Sequence, residues 1–121
     1  MTQSDIPKLF GKMGTVAVSG ESMMPTYRSG DWLVVAWGAQ FKIGDVILVE
    51  REDRPGVFLI KRLERSEGSN YWVEGDNKSI STDSREWGFI GPNEIVGRVL
   101  FRVRKSRQGR APRKWRGELE R

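Results

Sequence analysis

Short apolar runs alternate with turn residues along most of the chain. Segments rich in Gly, Pro, Asn and Asp separate the runs, and no run shows a sustained helical period. Such spacing predicts short strands that pair antiparallel with their neighbours. We therefore predict an all-β fold, a compact antiparallel β-barrel or sandwich, with strands at 15–19, 32–37, 46–49, 57–63, 71–74 and 94–104.

Chain length and charge divide the sequence into three segments. With 121 residues, of which 37% are hydrophobic, the chain is long enough to bury one core and not two. We assign an N-terminal arm to residues 1–14, the folded domain to 15–101 and a basic tail to 102–121. The tail carries a net charge of +7 and the other residues −2. Such a tail is either a solvated end or a contact for an anionic surface, lipid or nucleic acid.

The sequence contains no candidate membrane span. No stretch approaches the roughly 20 apolar residues that cross a bilayer. Residues 1–14 include Asp5, Lys8 and Lys12 and lack the apolar core and cleavage site of a secretory signal. We therefore expect no transmembrane segment and a soluble, cytoplasmic protein, peripheral at the membrane if the tail recruits it.

Histidine and cysteine are both missing, which limits the chemistry the chain can perform. Ser-His-Asp triads, thiolate nucleophiles and metal sites built from imidazole or thiolate are excluded. A serine nucleophile would need a lysine or a carboxylate as its base. Ser22 lies in a turn that contains Gly20 and Pro25, and Lys61 in a predicted strand is the best-placed candidate base.

A lysine can act as a base near neutral pH only if its pKa falls by roughly 2–3 units. Burial produces such a fall because it disfavours the charged ammonium. The two-residue period of a strand places Lys61 on one face with Leu59 and Leu63, an apolar setting of the required kind. An edge-strand lysine that protects against aggregation would show the same pattern, so the strand alone leaves both interpretations open.

Three segments occur in a characteristic order. The first is Ser19-Gly-Glu-Ser-Met-Met-Pro-Thr26 with Gly30-Asp31, and the second is Lys61-Arg62. The third is Gly75-Asp-Asn77, followed by Ser81-Thr-Asp-Ser-Arg85 and Trp87-Gly88. Together they resemble the three conserved boxes of the type I signal peptidase family, over roughly residues 16–101.

The resemblance implies roles for the matching residues. Ser22 would attack the scissile carbonyl, and Lys61 would be the general base that later protonates the leaving amine. Ser81 matches the serine that orients the lysine, and Asp83 and Arg85 match a supporting charged pair. The implied fold is the all-β catalytic core of that family.

Two features of the nucleophile box remain open. The Ser22 backbone N–H would form part of the oxyanion hole, but Gly20 stands where many members carry a second hydroxyl donor. Ser19 or another backbone N–H would have to replace it. Met23 and Met24 either line the substrate groove or pack beneath the turn.

These features favour a serine endopeptidase that performs limited proteolysis of a protein or peptide precursor. The expected enzyme needs no cofactor and no metal, because Asp76 and Asp83 offer too few oxygen ligands for a hard cation. A compact, anchorless form of this fold resembles the proteases that trim the propeptide of nickel-type superoxide dismutase. A self-cleaving repressor is a poor match because the chain has no Ala-Gly dipeptide. The second hypothesis is a catalytically silent module that binds anionic partners through residues 102–121.

Overall fold

The computed structural model describes residues 12–38 and 40–106, and six strands dominate this part of the chain. All strand pairings are antiparallel, which confirms the all-β prediction. Each strand lies within a few residues of its predicted position. The strands are β1 (Met13–Ala17), β2 (Trp32–Trp37), β3 (Val46–Glu50), β4 (Phe58–Glu67), β5 (Asn70–Glu74) and β6 (Ile95–Arg104).

The strands form one sheet in the order β1-β2-β6-β3-β4-β5, and the sheet is open rather than closed. The last strand therefore lies in the middle, between β2 and β3. Its register pairs Phe101 with Val34 on one side and Gly97 with Leu48 on the other. Bulges shift the register in both of these ladders, and bulges of this kind bend and twist a sheet.

The central position of β3 explains its uninterrupted apolar sequence. A strand that is covered on both faces has no polar side, so its residues do not alternate. Ile47 and Val49 pack on one face in a cluster with Leu63. Leu48 packs on the opposite face in a second cluster with Leu33. The sheet thus has a core on each side, and β3 contributes to both.

The segment between β5 and β6 contains short helical turns. Helix α1 (Ser84–Trp87) and a 3-10 turn (Pro92–Glu94) lie within or next to it. Asp83 caps α1, since its side chain accepts a hydrogen bond from the Arg85 amide. The spacing of Asp83 and Glu86 is an N-terminal helix signature, but a four-residue helix is too short to show a helical period.

Much of the predicted arm and tail lies outside the described residues. Residues 1–11 and 107–121 belong to this group, and they include most of the tail for which an anionic partner is predicted. In the described part of the chain, no helix is long and apolar enough to cross a membrane.

Candidate active site

Ser22 lies in the connection between β1 and β2, a long turn that hydrogen bonds close at its base. The Val18 amide donates to the Asp31 carbonyl at 2.8 Å, and the Gly30 amide donates to the Val18 carbonyl at 2.9 Å. Within the turn, Gly20 has a φ of +82°, a left-handed conformation that favours glycine. These features hold both ends of the turn at the edge of the β1–β2 ladder.

Asp31 fixes the same turn from inside the protein. Its side chain is buried, and Oδ2 accepts hydrogen bonds from the Arg28 amide at 2.9 Å and from Arg102 Nη1 at 3.3 Å. Its Oδ1 accepts the Ser106 amide at 2.6 Å. One carboxylate therefore ties the turn that carries Ser22 to the end of β6.

The residues after β5 hold the Ser22 peptide unit in place. The Asn77 amide donates to the Ser22 carbonyl at 2.8 Å, and Asn77 Nδ2 donates to the Glu21 carbonyl at 3.0 Å. The Ser22 side chain is half-buried. Its backbone is thus fixed by a segment more than fifty positions further along the sequence.

Gly75 permits this close approach. A Cβ atom on residue 75 would lie 2.6 Å from Ser81 Cβ and 2.7 Å from the Ser22 carbonyl oxygen. Both distances are shorter than real Cβ contacts, and the second neighbour is backbone. Residue 75 must therefore be glycine if Ser22 and Ser81 are to pack on either side of it.

Lys61 points into the protein from the middle of β4. It pairs with Ile47 of β3 and is only 4% exposed. Its Nζ donates to Ser81 Oγ at 2.9 Å. Burial lowers the pKa of Lys61, the Asp83 carboxylate partly offsets this effect, and the Arg85 cation adds to it. The apolar face predicted for this lysine is therefore present in the fold.

Ser81 connects Lys61 to a buried carboxylate. Ser81 Oγ donates to Asp83 Oδ2 at 2.7 Å, and Asp83 is 0% exposed. The Gly75 amide donates to the same oxygen at 2.8 Å, and Arg85 Nε donates to Oδ1 at 3.0 Å. Burial alone would raise the pKa of Asp83, but the hydrogen bonds from Arg85, Ser81 and the Gly75 amide hold it far below its usual range. Asp83 is therefore a permanent anion near neutral pH.

The direction of these hydrogen bonds has a chemical consequence. The Ser81 hydroxyl has one proton, and Asp83 accepts it, so Ser81 Oγ can only accept from Lys61. A neutral Lys61 amine would then donate one N–H to Ser81 Oγ and keep its lone pair available. No carboxylate of the described residues forms an ion pair with Lys61.

Arg62 and Asp76 form a second charged pair near the site. Arg62 Nε and Nη2 donate to the two oxygens of Asp76 at 2.9 and 2.8 Å, a bidentate contact. Thr26 Oγ1 donates to the same carboxylate. The hydrogen bonds from Arg62 lower the pKa of Asp76. The pair thus links β4 to the turn that carries Ser22.

Ser22 and Lys61 line one cavity of about 380 Å³, together with Ser19 and Gly20. The structure therefore brings four of the predicted site residues to the same opening. Ser81, Asp83 and Arg85 lie beside it, in contact with Lys61 or with one another.

The two methionines are not part of this lining. Met23 is 1% exposed, and its Sδ accepts a hydrogen bond from the Asp76 amide at 3.4 Å. The groove role considered for Met23 is therefore wrong, because its side chain packs beneath the turn. Met24 is half-buried and does not line the cavity either.

Sequence reasoning missed most of the cavity wall. Leu59, Ile80 and Trp87 form an apolar side, and Arg51 and Arg54 of the β3–β4 hairpin add two cations. Leu59 could have been found from the strand period, since it shares a face with Lys61. No sequence pattern marks Arg51 and Arg54 as cavity residues, because only the folded sheet brings the hairpin next to the turn that carries Ser22.

The same residues give no metal site. Among residues 12–38 and 40–106, no three His, Cys, Asp or Glu side chains gather in a way that could hold a metal ion. The acidic groups nearest Lys61 and Arg62, namely Asp83 and Asp76, are each engaged by an arginine.

Comparison with known proteins agrees with this geometry. The family described as Peptidase S24-like matches residues 4–100, which include the whole β-sheet up to the middle of β6. The chain belongs to this family. As a member of the S24-like peptidases it is a serine peptidase of the signal peptidase I type, as its sequence motifs indicated.

Individual relatives of this S24-like peptidase point the same way. Mitochondrial inner membrane protease subunit 1 of Xenopus tropicalis is 34% identical over 119 residues, which cover 78% of this chain and 71% of that protein. Mitochondrial ATP-independent inner membrane protease subunit 1a of Arabidopsis thaliana is 28% identical over 118 residues, 75% of this chain and 70% of that protein. Signal peptidase IB of Staphylococcus aureus is 31% identical over 98 residues, 75% of this chain and 44% of that protein.

Proposed function

We propose that this protein is a serine endopeptidase in which Ser22 is the nucleophile and Lys61 the general base, and that it removes a leader or propeptide from a protein precursor. The observation that carries the proposal is the state of Lys61. Its amine is buried and contacts a neutral hydroxyl instead of a carboxylate, and it lines the same cavity as Ser22. Both conditions favour an uncharged amine, which is the form that can accept a proton.

The proposed reaction begins with proton transfer from Ser22 Oγ to Lys61 Nζ as Oγ attacks the scissile carbonyl carbon. The tetrahedral intermediate collapses, the C–N bond breaks, and the Lys61 ammonium returns the proton to the leaving amine. Water then attacks the acyl carbon and gives a proton to Lys61 Nζ. The bond between Ser22 Oγ and the acyl carbon breaks, and Lys61 returns that proton to Ser22 Oγ. We assign the oxyanion to the Ser22 backbone N–H, with Ser19 or a neighbouring amide as the second donor.

Ser81, Asp83 and Arg85 act on Lys61 and not on the substrate. Asp83 fixes the Ser81 hydroxyl, and Ser81 in turn orients the Lys61 amine. The Asp83 carboxylate raises the pKa of Lys61, and the Arg85 cation, paired with Asp83, offsets part of this effect. We propose positioning roles for all three.

The substrate proposal is a precursor protein cleaved once. The name of one relative, signal peptidase IB, supports this class of substrate. The specific candidate is the propeptide of nickel-type superoxide dismutase, which the resemblance to compact members suggests. The tail proposal is separate. Arg102 and Ser106 form hydrogen bonds with Asp31, so the described chain ends next to the turn that carries Ser22. We propose that the basic tail, residues 102–121, brings the enzyme to an anionic surface.

The test is cleavage of a mixed precursor-peptide pool, read by mass spectrometry between pH 6 and 10. We expect cleavage by the wild type and none by Ser22→Ala or by Lys61→Arg, because arginine keeps the charge but does not lose its proton. Lys61→Met, which removes the charge in a similar volume, controls for the cost of burying arginine. Melting curves verify that each variant is folded. Normal cleavage by Lys61→Arg would exclude the proposed dyad.

The silent-module hypothesis makes the opposite prediction. It expects no cleavage by any variant, together with binding to anionic lipid vesicles or nucleic acid that falls steeply with salt. Truncation after Ser106 keeps the contacts to Asp31 intact and removes only the remaining tail. If the enzyme is a peptidase, this truncation leaves peptide cleavage unchanged and removes only the salt-dependent binding.

A further inference from the structure

The β3–β4 hairpin places an unusual cation on the cavity wall. Arg51 is half-buried, and its guanidinium carbon lies 4.5 Å from the centre of the Trp87 ring. Stacking of this kind is favourable and holds the flexible side chain in one place. Trp87 belongs to α1, which directly follows Asp83, so the position of Arg51 is tied to the segment that orients Lys61.

The guanidinium of Arg51 has no acceptor in the described part of the protein. Other arginines near the site do have carboxylate partners, as Arg62 has Asp76 and Arg85 has Asp83. No ion pair or side-chain hydrogen bond to a described residue is formed by Arg51, and the same holds for Arg54, the second cation of the hairpin.

The hairpin carboxylates do not neutralise these arginines. Glu50 accepts the Gly56 amide at 2.7 Å, and Glu52 accepts Asn93 Nδ2 at 2.8 Å. Asp53 lines the cavity without forming an ion pair with either arginine, in the described residues. The N–H groups of Arg51 therefore remain available to a ligand that enters the cavity.

We propose that Arg51, held over Trp87, binds an acidic side chain of the substrate, so that the enzyme selects precursors with Asp or Glu close to the scissile bond. The inference rests on the proposed function, because it places the substrate in the cavity lined by Ser22 and Lys61. The guanidinium is planar, and its N–H donors match the two oxygens of a carboxylate. Trp87 and Leu59 offer apolar surface to the methylene groups of the same side chain.

The first experiment measures binding without chemistry. A random peptide pool is passed over immobilised Ser22→Ala protein, and the retained peptides are sequenced by mass spectrometry. We expect Asp and Glu to be enriched among them, and we expect the enrichment to disappear when Arg51→Gln is added. The matched control is Arg65→Gln, because Arg65 stacks on Trp72 at 4.3 Å but does not line the cavity.

The second experiment measures selection during cleavage. Two peptides that differ only by Glu against Gln beside the cleaved bond are compared by kcat/KM. We expect the wild type and Arg65→Gln to prefer Glu by about tenfold, the size of one charge-assisted hydrogen bond. Arg51→Gln should bring the ratio close to one, and Arg51→Glu should instead favour a matching Lys peptide.

The two proposals fail in different ways. If Ser22→Ala still cleaves peptides, the proposed dyad is wrong, yet the binding preference remains measurable. If cleavage depends on Ser22 but Arg51→Gln keeps the same Glu preference as the wild type, the Arg51 assignment is overturned. Absence of Asp and Glu enrichment on the Ser22→Ala protein overturns it as well.

Discussion

Two opposite charges act on the pKa of Lys61, and removal of either one shifts this pKa in a defined direction. The Asp83 carboxylate raises the pKa of Lys61, and the Arg85 cation lowers it. Asp83→Asn should therefore lower the pKa of Lys61, whereas Arg85→Gln should raise it. A base must be neutral to act, so activity rises as the pH passes the pKa of this lysine. The ascending limb of the pH profile then moves to lower pH in Asp83→Asn and to higher pH in Arg85→Gln.

The geometry sets the size of the first shift. Hydrogen bonds of 2.9 and 2.7 Å through Ser81 keep Lys61 Nζ within about 5.6 Å of Asp83 Oδ2. At an effective dielectric constant near 20, two unit charges at this distance interact by about 3 kcal/mol, or about two pH units. We expect an observed shift of about one to two units for Asp83→Asn. The Arg85 shift should be smaller because its side chain is 37% exposed and solvent screens it.

The assay is kcat/KM for a cleaved peptide between pH 6 and 10, since this parameter reports groups of the free enzyme. The control Arg65→Gln removes a positive charge from β4, the strand that also carries Lys61, at a position away from the cavity. It should leave the ascending limb of the pH profile in place. Melting curves test whether each variant is folded. This control is needed for Asp83→Asn, because the substitution removes the buried anionic partner of Arg85. Limbs that stay fixed in both variants, or that move in the same direction, would refute the role of Lys61 as base.

Three further substitutions test the scaffold of the site. Gly75→Ala should lower the free energy of unfolding by about 1–3 kcal/mol and abolish cleavage, because the new Cβ overlaps Ser81 and the Ser22 carbonyl. Urea unfolding and the peptide assay measure the two effects, and a stable, active variant would contradict this packing. Ser81→Ala should reduce kcat about tenfold or more with KM unchanged, because Ser81 acts only through Lys61. Steady-state kinetics measure both parameters, and a change confined to KM would contradict a positioning role for Ser81. Asp31→Ala should cost about 1–3 kcal/mol by leaving two amides without their acceptor, and an unchanged melting temperature would count against that anchor.

The sequence predicted those parts of the fold that depend on local patterns. Turn residues separate every strand, so the six strands were identified to within a few residues. The strand pattern around Lys61, with Leu59 and Leu63 on its face, allowed either a buried base or an edge-strand lysine, and the fold shows that Lys61 is buried. Its contact with Ser81, by contrast, followed only from the resemblance to a known family, because no period relates residues twenty positions apart in sequence.

The remaining features depend on contacts between distant segments. Met23 sits in an exposed-looking turn, and only the packing of the Asp76 segment against it shows that it is buried. Arg51 and Trp87 meet because a hairpin and a helical turn face the same cavity. The requirement for glycine at 75 arises from the approach of Ser22 and Ser81. None of these is encoded by residue spacing along a single element.

The central position of β6 has a consequence for when the enzyme can first work. Ser22 belongs to the β1–β2 half of the described sheet and Lys61 to the β3–β5 half, and β6 is the ladder that joins them. This strand is the last of the described strands to be made, and its partners in β2 lie 60 to 72 positions earlier in the chain, so its pairing is slow compared with hairpin formation. Without β6 no strand ladder joins the two halves, and the contacts of residues 75–77 with the turn that carries Ser22 would have to hold them together alone. We therefore expect the proposed dyad to be assembled only when β6 has paired with β2 and β3, and a chain that ends before β6 to lack peptidase activity.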